Sequence, residues 1–377
     1  MRSLKVCLFI LSLLLVVVEV CYGGLNLELM ATMTGENDGD RFGRRVAGLG
    51  DINDDGYDDV AVRGGGKVYV FLGSSDFDSI ADMLLPDGIG IACAGDVNGD
   101  SISDFIIGAS ACKSDSGIAC LYFGGTEVDT IPDLIFVELV GPLGSYGFHV
   151  VSAGDVDNDG FDDVIVSDAN DGLVYLYLGG ENMDTVADAI FSEGEGVDLF
   201  GASISSAGDI NGDGYDDIII GRHNYPLFSV YLYLGGSPLD TIADYVLNGG
   251  EVASGDVNGD GYSDIVTEGG ARIYFGGITM DTIPDIVITE FSGRASTGYF
   301  NKDNYADIIT GNGYSHGGLG SARVFLGGSP MDSTSDWGVV GQYGGALGAS
   351  VSSAGDVNGD SVDDVIIGEP EYFFGSI

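Results

Sequence analysis

The residues best placed to do chemistry form a short acidic loop, and one clear copy, DINGDGYDD, runs from Asp209 to Asp217. Side-chain oxygens fall at positions 1, 3, 5 and 9, and the backbone carbonyl of position 7 can supply another. An all-oxygen ligand set favours a hard cation, and calcium suits it best. Gly or Asn at positions 4 and 6 lets the chain turn tightly round an ion, because both residues tolerate a positive φ angle.

The loop recurs seven times, so a repeat architecture is the first prediction. Successive copies start between 43 (256 to 299) and 59 (96 to 155) residues apart. The starts are Asp51, Asp96, Asp155, Asp209, Asp256, Tyr299 and Asp356. Ser101 and Ser361 stand at position 6 of two copies, which predicts strain or a different turn there. Six near-complete copies make accidental acidic turns a poor explanation.

The loop opens like an EF-hand loop but continues differently. An EF-hand needs a bidentate Glu at position 12 and a helix on each side. Here position 12 is Val, Ile or Thr, and a β-branched run such as Ile218-Ile219-Ile220 follows the loop. Such runs predict buried strands. The loop is therefore predicted to join two strands.

Each unit repeats the same order of elements. In the fourth unit an alternating strand (200–208) precedes the loop, and strands at 217–221, 229–236 and 245–247 follow. Four antiparallel strands per unit, repeated radially, are typical of β-propeller blades. We therefore predict an all-β fold: a seven-bladed β-propeller of four-stranded antiparallel blades.

The two ends of the chain predict how the ring closes. Residues 364–368 and 372–377 match strands two and three of a last unit, while residues 25–34 precede the first unit without partners. The segment 25–34 is predicted to complete the last blade as its fourth strand, which would hide exposed sheet edges.

The N-terminus has the layout of a secretory signal peptide, with basic residues, an apolar run from Val6 to Val18 and small residues near Gly23. We predict a signal peptide at 1–23 and a single propeller domain at 24–377, exported to the cell surface or secreted. A lipoprotein anchored through Cys21 is the alternative. The predicted repeats are 42–85, 88–136, 147–191, 200–247, 250–288, 293–340 and 347–377, together with the strand 25–34.

Composition limits the partners. The chain has 377 residues with 13 Lys+Arg against 59 Asp+Glu, a formal net charge of −46. This charge argues against nucleic acid and anionic membrane surfaces, which attract basic proteins. After cleavage three cysteines would remain, of which Cys112 and Cys120 could bridge across a hairpin, as export permits. Three reduced thiols are the alternative, with Cys93 in the core.

Together, the Phe-Gly leads (Phe42-Gly43, Phe200-Gly201), the acidic loop and the seven-fold count resemble FG-GAP repeats. Those repeats form the seven-bladed propeller at the head of integrin α-subunits and of related secreted proteins. The resemblance covers 25–377 and implies ion loops on one face and partner binding on the other. Stalk domains, a membrane span and a tail of the integrin type are missing from the sequence, so a stand-alone exported propeller is expected.

The resemblance assigns calcium ligands by position in six units, with the backbone carbonyl serving at position 7. These ligands are Asp51, Asn53, Asp55, Tyr57 and Asp59; Asp96, Asn98, Asp100, Ile102 and Asp104; Asp155, Asp157, Asp159, Phe161 and Asp163; Asp209, Asn211, Asp213, Tyr215 and Asp217; Asp256, Asn258, Asp260, Tyr262 and Asp264; and Asp356, Asn358, Asp360, Val362 and Asp364. The sixth loop, 299–307, is predicted to hold no calcium, because Tyr299 replaces a ligand and Lys302 adds a positive charge that could neutralise Asp303 and Asp307.

Catalysis is not expected. The three histidines, His149, His223 and His316, lie in no nucleophile elbow, zinc spacing or phosphate loop, and His149 is interpreted as structural. A glycosidase-like pair of carboxylates stays open, because separation in space cannot be seen in a sequence.

The favoured function is a monomeric calcium-binding adhesion or recognition module for an extracellular protein or glycan, since loops on a rigid scaffold often carry binding. The candidate contact residues are Tyr146, His223, Tyr225, Phe228, Tyr314 and His316. The alternatives are a calcium-dependent enzyme acting on polysaccharide or phospholipid, and a structural matrix component without a specific ligand.

Overall fold

The protein is a β-propeller of four-stranded antiparallel blades, as seen in a computed structural model. The structure describes residues 15–21, 26–37, 39–108, 117–137, 146–194, 199–224, 227–250, 252–267, 272–289, 293–341 and 345–370. Within these segments, helix is confined to one short turn, α1 (Ser315–Gly318). No helix among them has the length and hydrophobicity needed to cross a bilayer.

Six sheets are each built from four consecutive strands, in chain order from the axis outwards. The strands β1 (Leu15–Cys21) and β2 (Asn26–Met33) belong to a further sheet, here called the closing sheet. The six sheets contain β3 (Arg45–Gly50), β4 (Asp59–Gly64), β5 (Lys67–Phe71) and β6 (Met83–Pro86); β7 (Gly90–Gly95), β8 (Asp104–Gly108), β9 (Ile118–Tyr122) and β10 (Leu134–Val137); β11 (Tyr146–Gly154), β12 (Asp163–Asp168), β13 (Leu173–Tyr177) and β14 (Ala189–Phe191); β15 (Phe200–Gly208), β16 (Asp217–Asn224), β17 (Leu227–Tyr233) and β18 (Tyr245–Asn248); β19 (Val252–Gly255), β20 (Asp264–Thr267), β21 (Arg272–Tyr274) and β22 (Ile286–Val287); and β23 (Arg294–Gly298), β24 (Asp307–Asn312), β25 (Ser321–Phe325) and β26 (Trp337–Val340).

Hydrophobic contact between neighbouring sheets holds the blades together. The second strands are β-branched and buried on both faces, as in β8 and β20, because a sheet lies on each side of them. One core cluster joins Leu49 and Val68 of one sheet to Phe105 and Tyr122 of the next. The outermost strands alternate instead: in β18, Val246 is exposed and Leu247 is buried.

The Phe-Gly lead anchors the start of an inner strand. The Phe42 ring packs edge-on against Tyr69, with ring centroids 5.1 Å apart, and Phe200 packs in the same way against Tyr231 at 5.6 Å. The glycine that follows has a positive φ, 80° at Gly201, which an L side chain adopts only with strain. The pair therefore turns the chain into the blade and fixes it to the third strand.

The closing sheet contains strands from both ends of the described chain, in the order β2–β1–β28–β27, where β27 is Ser350–Gly355 and β28 is Asp364–Gly368. The predicted outer position of the N-terminal strand is confirmed, since β2 lies at the sheet edge. The segment 372–377 was predicted to lie between this outer strand and β28, but β1 occupies that position. Residues 371–377 lie outside the described part of the chain.

The strand directions give the propeller two different faces. Each inner strand ends at an acidic loop and the second strand returns from it, so all seven acidic loops lie on one face, here called the loop face. The turns between third and fourth strands share that face. The hairpins between second and third strands, and the links between blades, lie on the opposite face.

Candidate metal centre

The first aspartate organises each of the six complete loops around its own carboxylate. In the fourth loop, Asp209 Oδ1 accepts hydrogen bonds from the amides of Gly212 and Asp213 at 2.6 and 3.1 Å, and Asp209 Oδ2 accepts one from Gly214 at 2.9 Å. The amide of position 6 makes the same bond to the first aspartate in all six. The backbone therefore wraps round this carboxylate through its own hydrogen bonds, which do not depend on a cation.

Positions 3 and 5 continue the wrapping. Asn211 Oδ1 accepts from the Asp213 amide at 2.8 Å, and Asp213 Oδ1 accepts from the Tyr215 amide at 3.1 Å. Each of these oxygens accepts a hydrogen bond from a backbone amide and keeps a further lone pair. The oxygens predicted as ligands are thus brought together along one short turn.

The ninth aspartate is buried and ties the loop to the third strand. Asp217 is 0% exposed, and its two oxygens accept from the amides of Ile210 at 2.9 Å and Gly235 at 2.7 Å. Burial raises the pKa of Asp217 to about 7, and repulsion from Asp213 and Asp209 adds to the effect. The equivalent pKa values rise to about 7 or 8 for the same main reason at Asp59, Asp104, Asp163, Asp264, Asp307 and Asp364.

The third loop has the arrangement of oxygens best suited to a cation. Its three carboxylates, Asp155, Asp157 and Asp159, each place an oxygen within 4.8 Å of the other two. Asp157 Oδ1 is buried without a hydrogen-bond partner, and burial raises the pKa of Asp157. A buried, unsatisfied carboxylate oxygen beside two other carboxylates is unfavourable unless a cation or a proton neutralises it. The donor set is all oxygen, which suits calcium.

The loops are joined to one another in a closed circle. In each loop the amide of position 8 donates to the carbonyl of position 1 in the preceding loop, and the first loop closes on the last through Asp58 and Asp356 at 3.1 Å. The donors are Asp58, Ser103, Asp162, Asp216, Ser263, Ala306 and Asp363. In four loops the position-8 carboxylate also accepts a hydrogen bond from the position-1 amide of the preceding loop. One example is Asp162 Oδ2, which accepts from the Asp96 amide at 2.8 Å.

Replacing Asp162 with alanine is expected to destabilise the protein by about 1–2 kcal/mol, because the Asp96 amide loses its carboxylate partner. Urea denaturation would measure the change. Asp171, an exposed residue in the β12–β13 hairpin, gives the control, since Asp171→Ala should stay within about 0.5 kcal/mol of the parent. Equal effects of the two substitutions would show that the bond between loops contributes nothing.

Aromatic residues at position 7 explain the glycines at position 4. A side chain at Gly212 would lie 2.5 Å from the Tyr262 ring of the next loop, and one at Gly99 would lie 2.4 Å from the Phe161 ring. Both glycines also have positive φ, near 80°. Glycine at position 4 therefore meets two needs, turn conformation and close contact with the next loop. The other three loops have Asp54, Asn158 and Lys302 at this position.

The serines at position 6 adopt the conformation that suits glycine, as the sequence suggested. Ser101 has φ 70° and Ser361 has φ 67°. Replacing Ser361 with glycine is expected to stabilise the protein by about 0.5–1 kcal/mol, because left-handed backbone strains an L residue by more than glycine's extra chain entropy. Thermal melting would test this, with Gly214→Ser as the reverse control, and a destabilised Ser361→Gly variant would contradict it.

The sixth loop departs from the others as predicted in sequence, but Lys302 acts differently. Its ammonium donates to the carbonyl oxygen of Asp360 in the neighbouring loop at 2.8 Å, rather than to Asp303 or Asp307. Asp307 is inaccessible because it is 0% exposed and its oxygens accept from the Phe300 and Gly327 amides. The prediction that Lys302 neutralises these two carboxylates is therefore corrected.

The predicted contact residues fall in different places. Tyr314 is 76% exposed and His316 is exposed, both at the β24–β25 hairpin on the face opposite the loops. Phe228 is 39% exposed and packs edge-on against half-buried His223 in the β16–β17 hairpin. Tyr225 lies outside the described residues.

The prediction that Tyr146 contacts a partner is corrected, because Tyr146 is fully buried and its hydroxyl lies 2.5 Å from that of Tyr177. Its ring packs edge-on against Tyr175 at 5.4 Å. Tyr146-Gly147 is thus the third blade's version of the Phe-Gly lead, a match visible in the sequence. Cys112 lies outside the described residues, so its bridge to buried Cys120 stays a prediction.

A second acidic motif, which was not predicted from the sequence, stabilises the turns between third and fourth strands. In the turn after the third strand of the fourth blade, Asp240 Oδ1 accepts from the Ile242 amide at 2.8 Å and Asp244 Oδ2 accepts from the Leu234 amide at 3.0 Å. The same pair of bonds occurs in the other five blades built from consecutive strands. Much of the negative charge therefore stabilises turns, and the signal was the fixed spacing of ten residues between Leu234 and Asp244 and their equivalents.

Comparison with known proteins agrees with this repeating geometry. The FG-GAP-like repeat family matches residues 155–220 and 209–267, and the FG-GAP repeat family matches 347–377. The chain carries FG-GAP repeats. It is 35% identical to integrin alpha-4 of Xenopus laevis over 145 residues, which are 34% of this chain and 14% of that protein. It is 26% identical to human integrin alpha-6 over 184 residues, which are 46% of this chain and 16% of that protein.

The FG-GAP chain therefore matches only a small part, less than a quarter, of the length of these integrin alpha relatives. Among solved structures, it is similar to the WD40 domain of Toxoplasma gondii coronin, with a TM-score of 0.45, 10% identity and coverage of 97% of this chain and 88% of that one. The exotype rhamnogalacturonan lyase YesX gives the same TM-score and identity, covering 95% and 76%. Neither similarity bears on function.

Proposed function

We propose that this chain is a calcium-stabilised recognition module that binds an extracellular protein or glycan through the face opposite its acidic loops. The observation that supports this proposal most strongly is that the two faces of the propeller differ. The loop face is a circle of near-identical acidic turns joined by hydrogen bonds, which suits a structural role. The opposite face carries hairpins of differing sequence with exposed aromatic groups such as Tyr314 and Phe228. The relatives named integrin alpha support an adhesion-type role.

The proposal includes seven blades in one ring and calcium in six loops. The closed circle of seven position-8 contacts supports the blade number. In the six complete loops, the residues predicted as ligands would hold the ion, and the ion would neutralise carboxylates now crowded together. The loop at 299–307 would stay empty, since it lacks the first aspartate. We further propose that a signal peptide at 1–23 directs a monomer out of the cell. Its removal would also remove β1 from beside β28, and 372–377 would then take that position, as the sequence predicts.

Binding would be tested on arrays of glycans and extracellular matrix proteins with the purified protein, first in calcium and then in EDTA. Tyr314→Ala and Phe228→Ala are expected to weaken binding, because both remove exposed aromatic surface. The matched control is Tyr299→Ala, since Tyr299 is 48% exposed on the loop face. No binding to any array member, or binding lost in Tyr299→Ala and kept in Tyr314→Ala, would contradict the proposal.

A further inference from the structure

A cavity of about 230 Å³ lies on the propeller axis, where the inner strands of all seven sheets converge. Its wall includes Arg45 on β3, His149 on β11 and Arg294 on β23. The cavity thus contains two of the 13 Lys+Arg residues and one of the three histidines of a chain with net charge −46. Basic groups are therefore concentrated in one cavity of an otherwise acidic protein.

The three basic residues lie at one level of the channel. Arg45 is paired with Arg63, four residues after Asp59, and Arg294 is paired with Gly311, four residues after Asp307. The amide of His149 donates to the hydroxyl of Ser167, which likewise lies four residues after the ninth-position aspartate of its loop. This level is at the start of the inner strands, roughly 20 Å from the acidic loops at about 3.3 Å per residue. The basic level therefore opens towards the face opposite the loops.

Serine hydroxyls form the next level inwards. Ser205, Ser296 and Ser352 line the cavity, two residues deeper along β15, β23 and β27. Ser296 Oγ accepts a hydrogen bond from the Ser353 amide at 3.0 Å, so its hydroxyl hydrogen can still be donated. The channel offers guanidinium groups at its mouth and hydroxyl donors below them.

The electrostatics of the mouth agree with this arrangement. The pKa of His149 lies well below its usual value, first because the ring is buried and then because Arg45, Arg294 and His223 repel its protonated form. The charged groups that act on His149 are therefore all basic. A neutral imidazole at this point can take part in a hydrogen bond without carrying charge.

We propose that the mouth of the axial channel binds the carboxylate of a small organic acid. Arg45 and Arg294 supply charge-assisted donors, for which a carboxylate is a matching acceptor. The serines below them donate to the remaining polar atoms of the ligand. The site does not depend on which macromolecule the outer hairpins bind, so it goes beyond the recognition function proposed above.

The test is calorimetric titration of the calcium-loaded mature protein with sodium glucuronate and sodium glutarate at fixed ionic strength. Glucuronate represents an acidic sugar and glutarate an acidic side chain, and glucose is the uncharged comparison. We expect at least one carboxylate to bind in the millimolar range and glucose not to bind. Arg45→Gln and Arg294→Gln should each weaken carboxylate binding about tenfold, the loss of a charge-assisted hydrogen bond.

Lys67→Gln is the matched control, because it also removes one positive charge but from an exposed ion pair with Glu36. It should leave carboxylate binding unchanged. Thermal melting in calcium would verify that every variant is folded. Failure of both carboxylates to bind the parent protein would overturn the proposal, as would binding that Arg45→Gln and Arg294→Gln leave intact. Both outcomes are separate from the array experiment, which concerns the hairpins.

Discussion

Removing calcium with EDTA is expected to lower the melting temperature of the protein by about 10 °C or more. Ligands that bind only the folded state stabilise it, and each site contributes about 1.4 kcal/mol when free calcium is ten times its dissociation constant. Six proposed sites would together contribute about 8 kcal/mol on the same basis. Without the ion, the carboxylates of each loop repel one another at short range. Burial is the main cause of the raised pKa of Asp217, and repulsion from Asp213 and Asp209 adds to it.

Differential scanning calorimetry in calcium, in EDTA and after calcium is restored would measure this effect. Sodium chloride at matched ionic strength is the control for general screening of the net charge. Magnesium should restore only part of the stability, because it demands a smaller octahedral site and keeps its waters. Equal melting temperatures in calcium and EDTA would contradict the assignment of the loops as calcium sites.

Replacing Asp307 with alanine is expected to destabilise the protein by about 3 kcal/mol or more, although its loop is predicted to hold no calcium. The Phe300 and Gly327 amides would lose their acceptor, and each buried, unsatisfied donor costs about 1–3 kcal/mol. Both amides bond to Asp307 at 2.9 Å, and Asp307 is 0% exposed. The ninth aspartate would thus stabilise the blade independently of any ion.

Urea denaturation of Asp307→Ala in EDTA and in calcium would separate the two roles. The loss should be the same in both conditions, whereas Asp217→Ala should lose more in calcium because it would also remove a ligand. Asp303→Ala, in the same loop and exposed, provides the control with a small expected effect. A loss below about 1 kcal/mol in Asp307→Ala would show that the buried hydrogen bonds are not what the carboxylate provides.

The blade architecture could be predicted because the signals are local and repeated. A strand with three successive isoleucines, Ile218-Ile219-Ile220, has apolar side chains on both faces and must therefore lie between two other sheets. The structure buries all three residues. The loop from Asp209 to Asp217 specifies its own turn, since its carboxylates accept hydrogen bonds from amides within the same nine residues. Repetition then distinguishes such a pattern from chance.

Contacts between units could not be predicted in the same way. Lys302 bonds to Asp360 in another loop, and Asp162 bonds to Asp96 in the loop before it. Both contacts depend on how neighbouring blades are placed, which no single unit specifies. The convergence of Arg45 and Arg294, nearly 250 residues apart in the sequence, likewise follows only from ring closure.

The pairing of the closing sheet was only half predicted, because two apolar segments compete for one position. The sequence places 372–377 beside β28, whereas the structure pairs Val16, Val17 and Val18 of β1 with β28. β-branched residues suit such a central strand position. Local pattern alone therefore does not choose between the two segments.

The central claim, that six of the seven loops hold calcium to stiffen a recognition face, is tested most directly by a crystal structure of the mature protein grown in calcium. Anomalous scattering would locate each ion. The account predicts an ordered ion, ligated at 2.3–2.6 Å as is typical of calcium, in the loops that start at Asp51, Asp96, Asp155, Asp209, Asp256 and Asp356. It predicts none at 299–307. An ion in the loop of Lys302, or empty loops elsewhere at saturating calcium, would contradict it.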